Sequence, residues 1–231
     1  MFSARPNLRQ LAYSTARRGA IKAPSTKLAA TILPWGKGQT VYRVHSSAYG
    51  SLQFNPSMRG SARFSPLIDP TGNVIPTIYA GTTLDCALME SVFHDVPYVA
   101  GLKTVSKATH LAGKVSSSLT LARDLQMVEL SPISLRKLGI SRKELIECDA
   151  SQYSETQAWA LALHDQWPAA EGLLWTSRQA APAEAIVLFE DRLKGSPLTV
   201  NRTPEALLMS DGSAVSAVLD LALKMDVALT P

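Results

Sequence analysis

Two residues that can do acid–base or electrostatic chemistry lie one helical turn apart in the middle of the chain. Glu90 and His94 follow an apolar run, and their four-residue spacing would place both side chains on one face of a helix. A carboxylate beside an imidazole can stabilise a developing positive charge or assist a proton transfer. The alternative is an ordinary surface ion pair, or a histidine that caps a helix C-terminus before Pro97.

Further candidates lie on predicted strands and loops far from this pair in sequence. Arg43 lies inside the β-branched and aromatic run Thr40–His45, and Arg63 lies in a loop bounded by glycine and proline. Ser177 ends a short apolar run that begins at Gly172. Each has a structural alternative, because a strand arginine often pairs with a carboxylate and a serine at a strand end often forms a turn or cap.

Four segments, in this order, resemble the RES family, which is named for its arginine, glutamate and serine. They are YR at 42–43, ARFSP at 62–66, IYAGTTLDCALMESVFH at 78–94 and GLLWTSR at 172–178. The second segment departs from the family's usual Gly-Arg-Trp-Asn-like turn at Phe64, where either aromatic ring can stack on a base or a ribose. The resemblance covers residues 40–192, about two thirds of the chain.

The resemblance implies a bacterial toxin of a toxin–antitoxin pair that cleaves NAD at the nicotinamide–ribose bond. It implies an α+β fold, a mixed β-sheet with flanking helices similar to the catalytic domains of ADP-ribosylating, diphtheria-toxin-like toxins. It also implies an Xre-type helix-turn-helix antitoxin that covers the active-site cleft. The toxin would then contact DNA only indirectly, through this antitoxin. NAD is then a substrate, inorganic phosphate is a candidate co-substrate, and no prosthetic group is expected.

The candidate residues match what cleavage of this bond needs. The reaction passes through a state with positive charge on the ribose, as glycoside cleavage does. Glu90 can oppose that charge, and guanidinium forks at Arg43 and Arg63 match phosphate oxygens. We expect catalysis from Glu90, Arg43 and Ser177, with the serine orienting nicotinamide or a phosphate, although a lone tyrosine such as Tyr79 has core packing as its alternative role. The residues expected to bind NAD are Tyr42, Arg43, Arg63, Tyr79, His94 and Ser177.

Other motifs of catalysis are absent from the sequence. It has no GxGxxG after a strand, no Walker-type GxxxxGK and no GxSxG elbow, which favours an enzyme that consumes NAD over one that shuttles hydride. His45, His110 and His164 have no ligand-like spacing with Cys86 and Cys148, so no metal site is expected. Two cysteines make no disulfide framework, and no apolar run approaches the roughly 18 residues that span a membrane, so we expect a cytoplasmic protein.

Charge divides the chain into two parts. The first 68 residues contain ten lysines and arginines and no acidic residue, whereas residues 69–231 carry a net charge of −6. The Arg- and Ser-rich start has the composition of a transit peptide and equally of a basic arm that attracts acidic partners or nucleic acid. We expect a basic N-terminal extension at 1–38 that packs on the domain or on the antitoxin. A single catalytic domain is expected at 39–231, since 231 residues with 46% hydrophobic residues can bury one substantial core.

The elements that must position the candidates can be predicted in outline. We expect a helix near Asn7–Arg17, a linker over Pro24–Gly38 and a strand over Thr40–His45. A strand over Val74–Ala80 leads into a helix over Thr83–His94. Further strands are expected over Leu111–Leu121, Gln126–Leu130, Gly172–Trp175 and Ala185–Phe189, and further helices over Ser131–Lys137, Ser141–Ile146, Ser154–Gln166 and Gly212–Met225, the last docking on the domain or on a second subunit.

Three classes of function are compatible with these observations. The first is the NAD-cleaving toxin, and the second is an ADP-ribosyltransferase that modifies a protein with the same residues. The third is a nucleic-acid-binding module that uses the basic residues between 5 and 63, which contain no recognisable helix-turn-helix and no aromatic RNA platform. A neighbouring gene for a small helix-turn-helix protein would favour the first two, and strong salt-dependent binding to nucleic acid would favour the third.

Overall fold

The computed structural model describes residues 21–208 and 212–231 and has the α+β fold that the sequence predicts, a mixed β-sheet with flanking helices. In these residues the strands are β1 Ile32–Trp35, β2 Thr40–Ser46, β3 Leu67–Ile68, β4 Val74–Ile75, β5 Thr77–Gly81, β6 Lys103–Ser106, β7 Lys114–Leu121, β8 Leu125–Glu129, β9 Gly172–Thr176, β10 Glu184–Phe189, β11 Leu198–Val200, β12 Glu205–Ala206 and β13 Val227–Thr230. The helices are α1 Leu84–Met89, α2 Lys107–His110, α3 Pro132–Leu138, α4 Arg142–Leu145, α5 Tyr153–Gln166 and α6 Ser213–Lys224. None of these helices is long and apolar enough to cross a membrane. The helix predicted near Asn7–Arg17 lies outside the described residues.

The main sheet has one weak junction. Its strand order is β1-β8-β9-β10-β5-β2-β7-β11, with β12 also paired to β7, and only β8 and β9 are parallel neighbours among the described strands of this sheet. β2 pairs with β7 along its whole length but with β5 only at Tyr42 and Gly81. The sheet therefore splits into two halves on either side of this contact. Two small sheets join β13 to β6 in parallel and β3 to β4 in antiparallel fashion.

Both faces of the central strands are buried, as their continuous apolar sequences predict. Alternate residues of β9 enter opposite cores, with Leu173 on one face and Leu174 on the other. Residues of α3, α4 and α5 complete the first core, and Trp159 of α5 is almost fully buried there. A third core joins α1 to α6 through residues such as Leu88 and Val218. Because α1 also contacts β2 and β5, it lies at the split in the sheet.

The two short helices predicted near residues 131 and 141 form with the caps that their sequences indicate. The Ser131 hydroxyl accepts a hydrogen bond from the Ser134 amide, and α3 ends at Gly139, whose φ of 77° is a left-handed conformation that glycine adopts without strain. Ser141 and Glu144 form a reciprocal capping box at the start of α4. These local signals are confirmed.

The N-terminal part of the described chain differs from its prediction. The linker predicted over Pro24–Gly38 contains β1, which pairs with β8. Leu28 is buried, and its amide donates to the side-chain oxygen of Gln166 at 2.7 Å. The packed domain therefore begins before residue 39. The glycines and prolines of this segment predicted a linker, but β1 is an edge strand, and an edge strand tolerates a proline such as Pro34.

Other element boundaries follow the prediction closely, with two exceptions outside the helix at 83–94. Pro76 divides the strand predicted over Val74–Ala80 into β4 and β5, because proline has no amide hydrogen for the ladder. The strand predicted over Leu111–Leu121 starts at Lys114, after α2. The short strands β3, β6, β11, β12 and β13 had not been predicted, because two to four residues carry too little periodicity to be recognised.

Candidate active site

A cavity of about 260 Å³ lies where the main sheet splits between β2 and β5. Its walls come from both halves of the sheet, from the end of α1, and from the segments 61–63 and 178–179. A concave site at the junction of several elements is the usual setting for a small-molecule ligand. The structure brings six of the predicted site residues to this cavity: Tyr42, Arg43, Arg63, Tyr79, Glu90 and His94.

Glu90 stands at the C-terminal end of α1. The helix begins after Thr83, whose hydroxyl accepts a hydrogen bond from the Cys86 amide at 3.0 Å, and its last turn closes when the Glu90 amide donates to the Cys86 carbonyl at 2.9 Å. Burial, together with the negative charge of Glu90, raises the pKa of the Cys86 thiol to about 12. At this pKa the thiol is neutral at physiological pH, and Cys86 lies fully buried outside the cavity lining.

His94 reaches the cavity by a different route from the one that its spacing predicts. The helix predicted over Thr83–His94 ends at Met89, and the amides of residues 91–93 all bond one carbonyl of its last turn. The His94 imidazole contacts the carboxylate of Asp95 at 3.0 Å. The prediction that Glu90 and His94 pair on one helical face is therefore wrong, although both residues line the cavity.

Ser177 positions the carboxylate of Glu90. Its hydroxyl donates to Glu90 Oε1 at 2.6 Å, and its oxygen accepts hydrogen bonds from the amides of Gln179 and Ala180, both at 3.0 Å. The side chain is fully buried and lies outside the cavity lining. The turn after β9 thus fixes the serine, and the serine fixes the carboxylate.

Two arginines share one backbone carbonyl at the cavity wall. Nη1 of Arg63 lies 3.4 Å from the Cys148 carbonyl oxygen, and Nη1 of Arg178 lies 3.3 Å from the same oxygen. Arg63 also contacts the Cys148 sulfur at 3.1 Å, and its guanidinium carbon lies 5.2 Å from the centre of the Tyr153 ring. Arg178 also donates to the Glu147 carbonyl at 3.1 Å. The segment that follows α4 therefore holds both guanidinium groups.

Arg43 borders the cavity and also stabilises the loop after β2. The side chain is buried, and its Nη1 donates to the carbonyls of Ser51 and Gln53, both at 2.9 Å. Burial lowers the pKa of the Arg43 guanidinium to about 10, which leaves it charged at neutral pH. Burial and this neighbouring charge also lower the pKa of His45. Arg43 thus supplies a fixed positive charge to the site.

Aromatic rings form one wall of the cavity and support the turn that carries Arg63. Trp175 packs edge to face on Phe64 and Tyr79, with ring centres 5.1 and 6.3 Å apart. The Tyr79 hydroxyl accepts a hydrogen bond from the Phe64 amide at 2.8 Å, and burial raises the pKa of this phenol. Tyr79 therefore both packs against neighbouring rings and lines the cavity.

Several residues that line the cavity were not predicted from the sequence, among them Arg178, Gln179 and Tyr153. Arg178 had a signal, because it directly follows Ser177 in the segment GLLWTSR. Gln179 donates to the His94 carbonyl at 3.1 Å, and its side-chain oxygen accepts the hydroxyl of the exposed Tyr98 at 2.5 Å. Nothing local in the sequence marks Tyr153, which is the first residue of α5.

The arginines of the cavity have no carboxylate partner in the part of the chain that the structure describes. Among the described residues, ion pairs join other arginines to acidic side chains, such as Arg123 to Glu171 at 2.7 Å, but none involves Arg43, Arg63 or Arg178. Unpaired positive charge at a partly buried site is unfavourable until an anion binds. The arrangement therefore favours a ligand with negative charge.

The fold and the cavity define an α+β domain with a cleft lined by arginines and by one carboxylate that a serine holds. The family model for the RES domain matches residues 40–207, so the chain belongs to the RES family. No curated protein gave a match. The fold is similar to that of a chain in the crystal structure of the M. tuberculosis MbcT–MbcA toxin–antitoxin complex, with a TM-score of 0.56 and 16% identity over 81% of this chain and 90% of that one. At this identity the similarity concerns the fold.

Proposed function

We propose that this protein cleaves NAD at the bond between nicotinamide and ribose and acts as the toxin of a toxin–antitoxin pair. The observation that carries the proposal is that one cavity combines three guanidinium groups, none of them in an ion pair among the described residues, with a carboxylate held in place by a serine. NAD presents a diphosphate for the cations, a ribose for the carboxylate and flat rings for the aromatic wall. Membership of the RES family supports the same activity.

The proposed reaction breaks the bond between ribose C1′ and the nicotinamide nitrogen. The bonding electron pair leaves with nicotinamide, whose ring becomes neutral, and positive charge develops on the ribose. Glu90, held by Ser177, opposes this charge and bonds ribose hydroxyls. An oxygen of water or of inorganic phosphate then bonds to C1′ and releases its proton to solvent, which gives ADP-ribose or its phosphate ester.

The size of the cavity limits how much of NAD it encloses. At about 260 Å³ it is smaller than typical ligand pockets of roughly 300–1,000 Å³. The nicotinamide ribose and the adjoining diphosphate therefore occupy it in our proposal, and the adenosine extends outside. Tyr42, Tyr79 and His94 line the cavity and supply contacts to the rings and the ribose.

Identification of the products by mass tests the reaction. The purified chain is incubated with NAD, with and without inorganic phosphate, and we expect free nicotinamide together with ADP-ribose or its phosphate ester. Attachment of ADP-ribose to added protein would indicate the alternative ADP-ribosyltransferase. Intact NAD in every mixture would contradict the proposal, and strong salt-dependent binding to nucleic acid would then favour the third class of function.

We propose an Xre-type helix-turn-helix protein as the antitoxin, binding over the cavity and providing any contact with DNA. The toxin–antitoxin complex of similar fold and the acid-free first 68 residues, which would attract an acidic partner, support this. We place the action in the cytoplasm, in line with two free thiols at Cys86 and Cys148. Expression alone should arrest growth and deplete NAD, and co-expression of the antitoxin should prevent both effects. A complex that binds NAD with undiminished affinity would contradict occlusion of the cavity.

A further inference from the structure

The shared carbonyl of Cys148 makes Arg63 and Arg178 neighbours at the cavity wall. Each donates from Nη1 to that oxygen, at 3.4 and 3.3 Å. The two residues are 115 positions apart in sequence, and they come from a loop before β3 and from the turn after β9. Only the fold brings the pair together, and the backbone at 145–148 holds both groups at fixed positions.

The placement of these two cations is costly without a ligand. Like charges repel at short range, and no ion pair among the described residues neutralises either one. The nearby Arg142 shows the contrasting arrangement, because its Nε pairs with the Glu147 carboxylate at 2.8 Å while Arg178 takes only the Glu147 carbonyl. The Glu147 carboxylate thus pairs with an arginine outside the cavity lining.

We propose that Arg63 and Arg178 together bind the two linked phosphates of a diphosphate, and that Arg178 makes the site select a dinucleotide over a mononucleotide. Two neighbouring guanidinium forks match two linked phosphates better than one. Arg178 directly follows Ser177, which holds Glu90, so the same turn places the diphosphate site and the carboxylate. In NAD the diphosphate is attached to the ribose at which cleavage is proposed. The inference thus rests on the proposed function for its substrate, but the diphosphate site can be tested without catalysis.

Direct binding of inorganic anions is the first test. Calorimetric titration of the full chain with pyrophosphate and with phosphate should show tighter binding of pyrophosphate. Arg178→Gln should weaken pyrophosphate binding by about 10- to 100-fold, as expected for lost hydrogen bonds to a charged group, and should change phosphate binding much less. Arg136→Gln is the matched control, since Arg136 is an exposed arginine of α3 that donates to the Pro132 carbonyl. This control should leave both affinities unchanged.

Kinetics with two substrates provide the second test. Arg178→Gln should raise the KM for NAD by about tenfold or more with little change in kcat, and should alter the KM for nicotinamide mononucleotide far less. Arg178→Lys should recover only part of the loss, because one ammonium cannot make the forked contact. Thermal unfolding at the parental temperature shows that the variant is folded.

The outcomes separate this inference from the proposed function. Pyrophosphate affinity that does not change in a folded Arg178→Gln protein would overturn the inference, and so would an equal loss of phosphate and pyrophosphate affinity. If the parent protein binds pyrophosphate through Arg178 but leaves NAD intact, the diphosphate site is supported and NAD cleavage is contradicted. If NAD is cleaved and Arg178→Gln leaves both KM and kcat unchanged, NAD cleavage is supported and the diphosphate site is contradicted.

Discussion

At the scale of residues, the hydrogen bond between Ser177 and Glu90 sets the orientation in which the carboxylate faces a ligand. The Ser177 hydroxyl donates to Oε1 at 2.6 Å and so orients the carboxylate of Glu90, which lines the cavity. Two backbone amides hold the serine oxygen in turn, which fixes the geometry before any ligand binds. Such preorganisation is what electrostatic stabilisation of a developing charge requires.

Replacement of Ser177 by alanine should slow NAD cleavage more than it weakens NAD binding. The half-buried carboxylate loses one donor. A hydrogen bond to a charged group contributes about 1.5–3 kcal/mol, so we expect kcat to fall by about 10- to 100-fold with a small change in KM. Steady-state kinetics with NAD measure both constants.

Ser134→Ala provides a matched control for this variant. Ser134 is also buried and donates to a glutamate, Glu129, but it lies in α3, outside the cavity lining. Ser134→Ala should therefore lower the free energy of unfolding without a change in kcat. A Ser177→Ala protein with parental kcat, or with a loss confined to KM, would contradict the positioning role.

At the scale of elements, the single contact between β2 and β5 creates the site. Between these two strands only Tyr42 and Gly81 pair with each other, and the chain passes from Gly81 directly toward α1. A methyl group at position 81 would lie 2.8 Å from the Cys86 sulfur and 3.0 Å from the Ala87 amide nitrogen. The absence of a side chain at Gly81 thus lets α1 approach the strand and bring Glu90 to the cavity.

Gly81→Ala should therefore reduce both stability and activity. Forcing a methyl group into this contact is expected to cost about 1–3 kcal/mol and to push α1, with Glu90, away from β5. Denaturant unfolding and NAD kinetics measure the two effects. Gly50→Ala is the control, because its methyl group would meet nothing nearer than 3.9 Å and should change neither quantity. A stable and fully active Gly81→Ala protein would refute the role of this close approach.

The raised pKa of the Cys86 thiol in α1 predicts that the protein loses stability at alkaline pH. The unfolded thiol ionises near its ordinary pKa of 9.0, whereas in the folded chain the pKa is raised to about 12. Between these values the folded state binds more protons than the unfolded state, so stability is retained below pH 9 and falls as the pH rises above it. The free energy of unfolding should be measured between about pH 8 and pH 10.5 for the parent protein and for Cys86→Ala. Above pH 9 the parent should lose more of it than the variant, by up to about 1.4 kcal/mol per pH unit. Parallel curves for the two proteins would contradict this effect.

At the scale of the whole molecule, the sequence predicts the sheet and misses how its halves meet. Continuous apolar runs identified β9 and β10, and capping residues identified α3 and α4, because these signals are local. The helix ending at Met89 was predicted too long because apolar residues such as Val92 remain buried in the turn that follows.

The candidate site shows the same division between local and long-range information. Glu90, Arg63 and Tyr79 were found from short motifs, and all three line the cavity. The shared carbonyl of Cys148 and the link from Ser177 to Glu90 join residues more than 80 positions apart, so no periodicity could show them. Long-range hydrogen bonds of this kind follow from the fold and not from any single segment.

The measurement that tests the account most directly is NAD cleavage by Glu90→Gln beside the parent protein. The amide keeps the shape and an acceptor for Ser177 but loses the charge that opposes the ribose cation, so kcat should fall by about 10²–10³, or roughly 3–4 kcal/mol. Thermal unfolding and NAD affinity should stay close to those of the parent, since only the transition state is affected. A Glu90→Gln protein that unfolds normally and still destroys NAD at the parental rate would contradict the central claim.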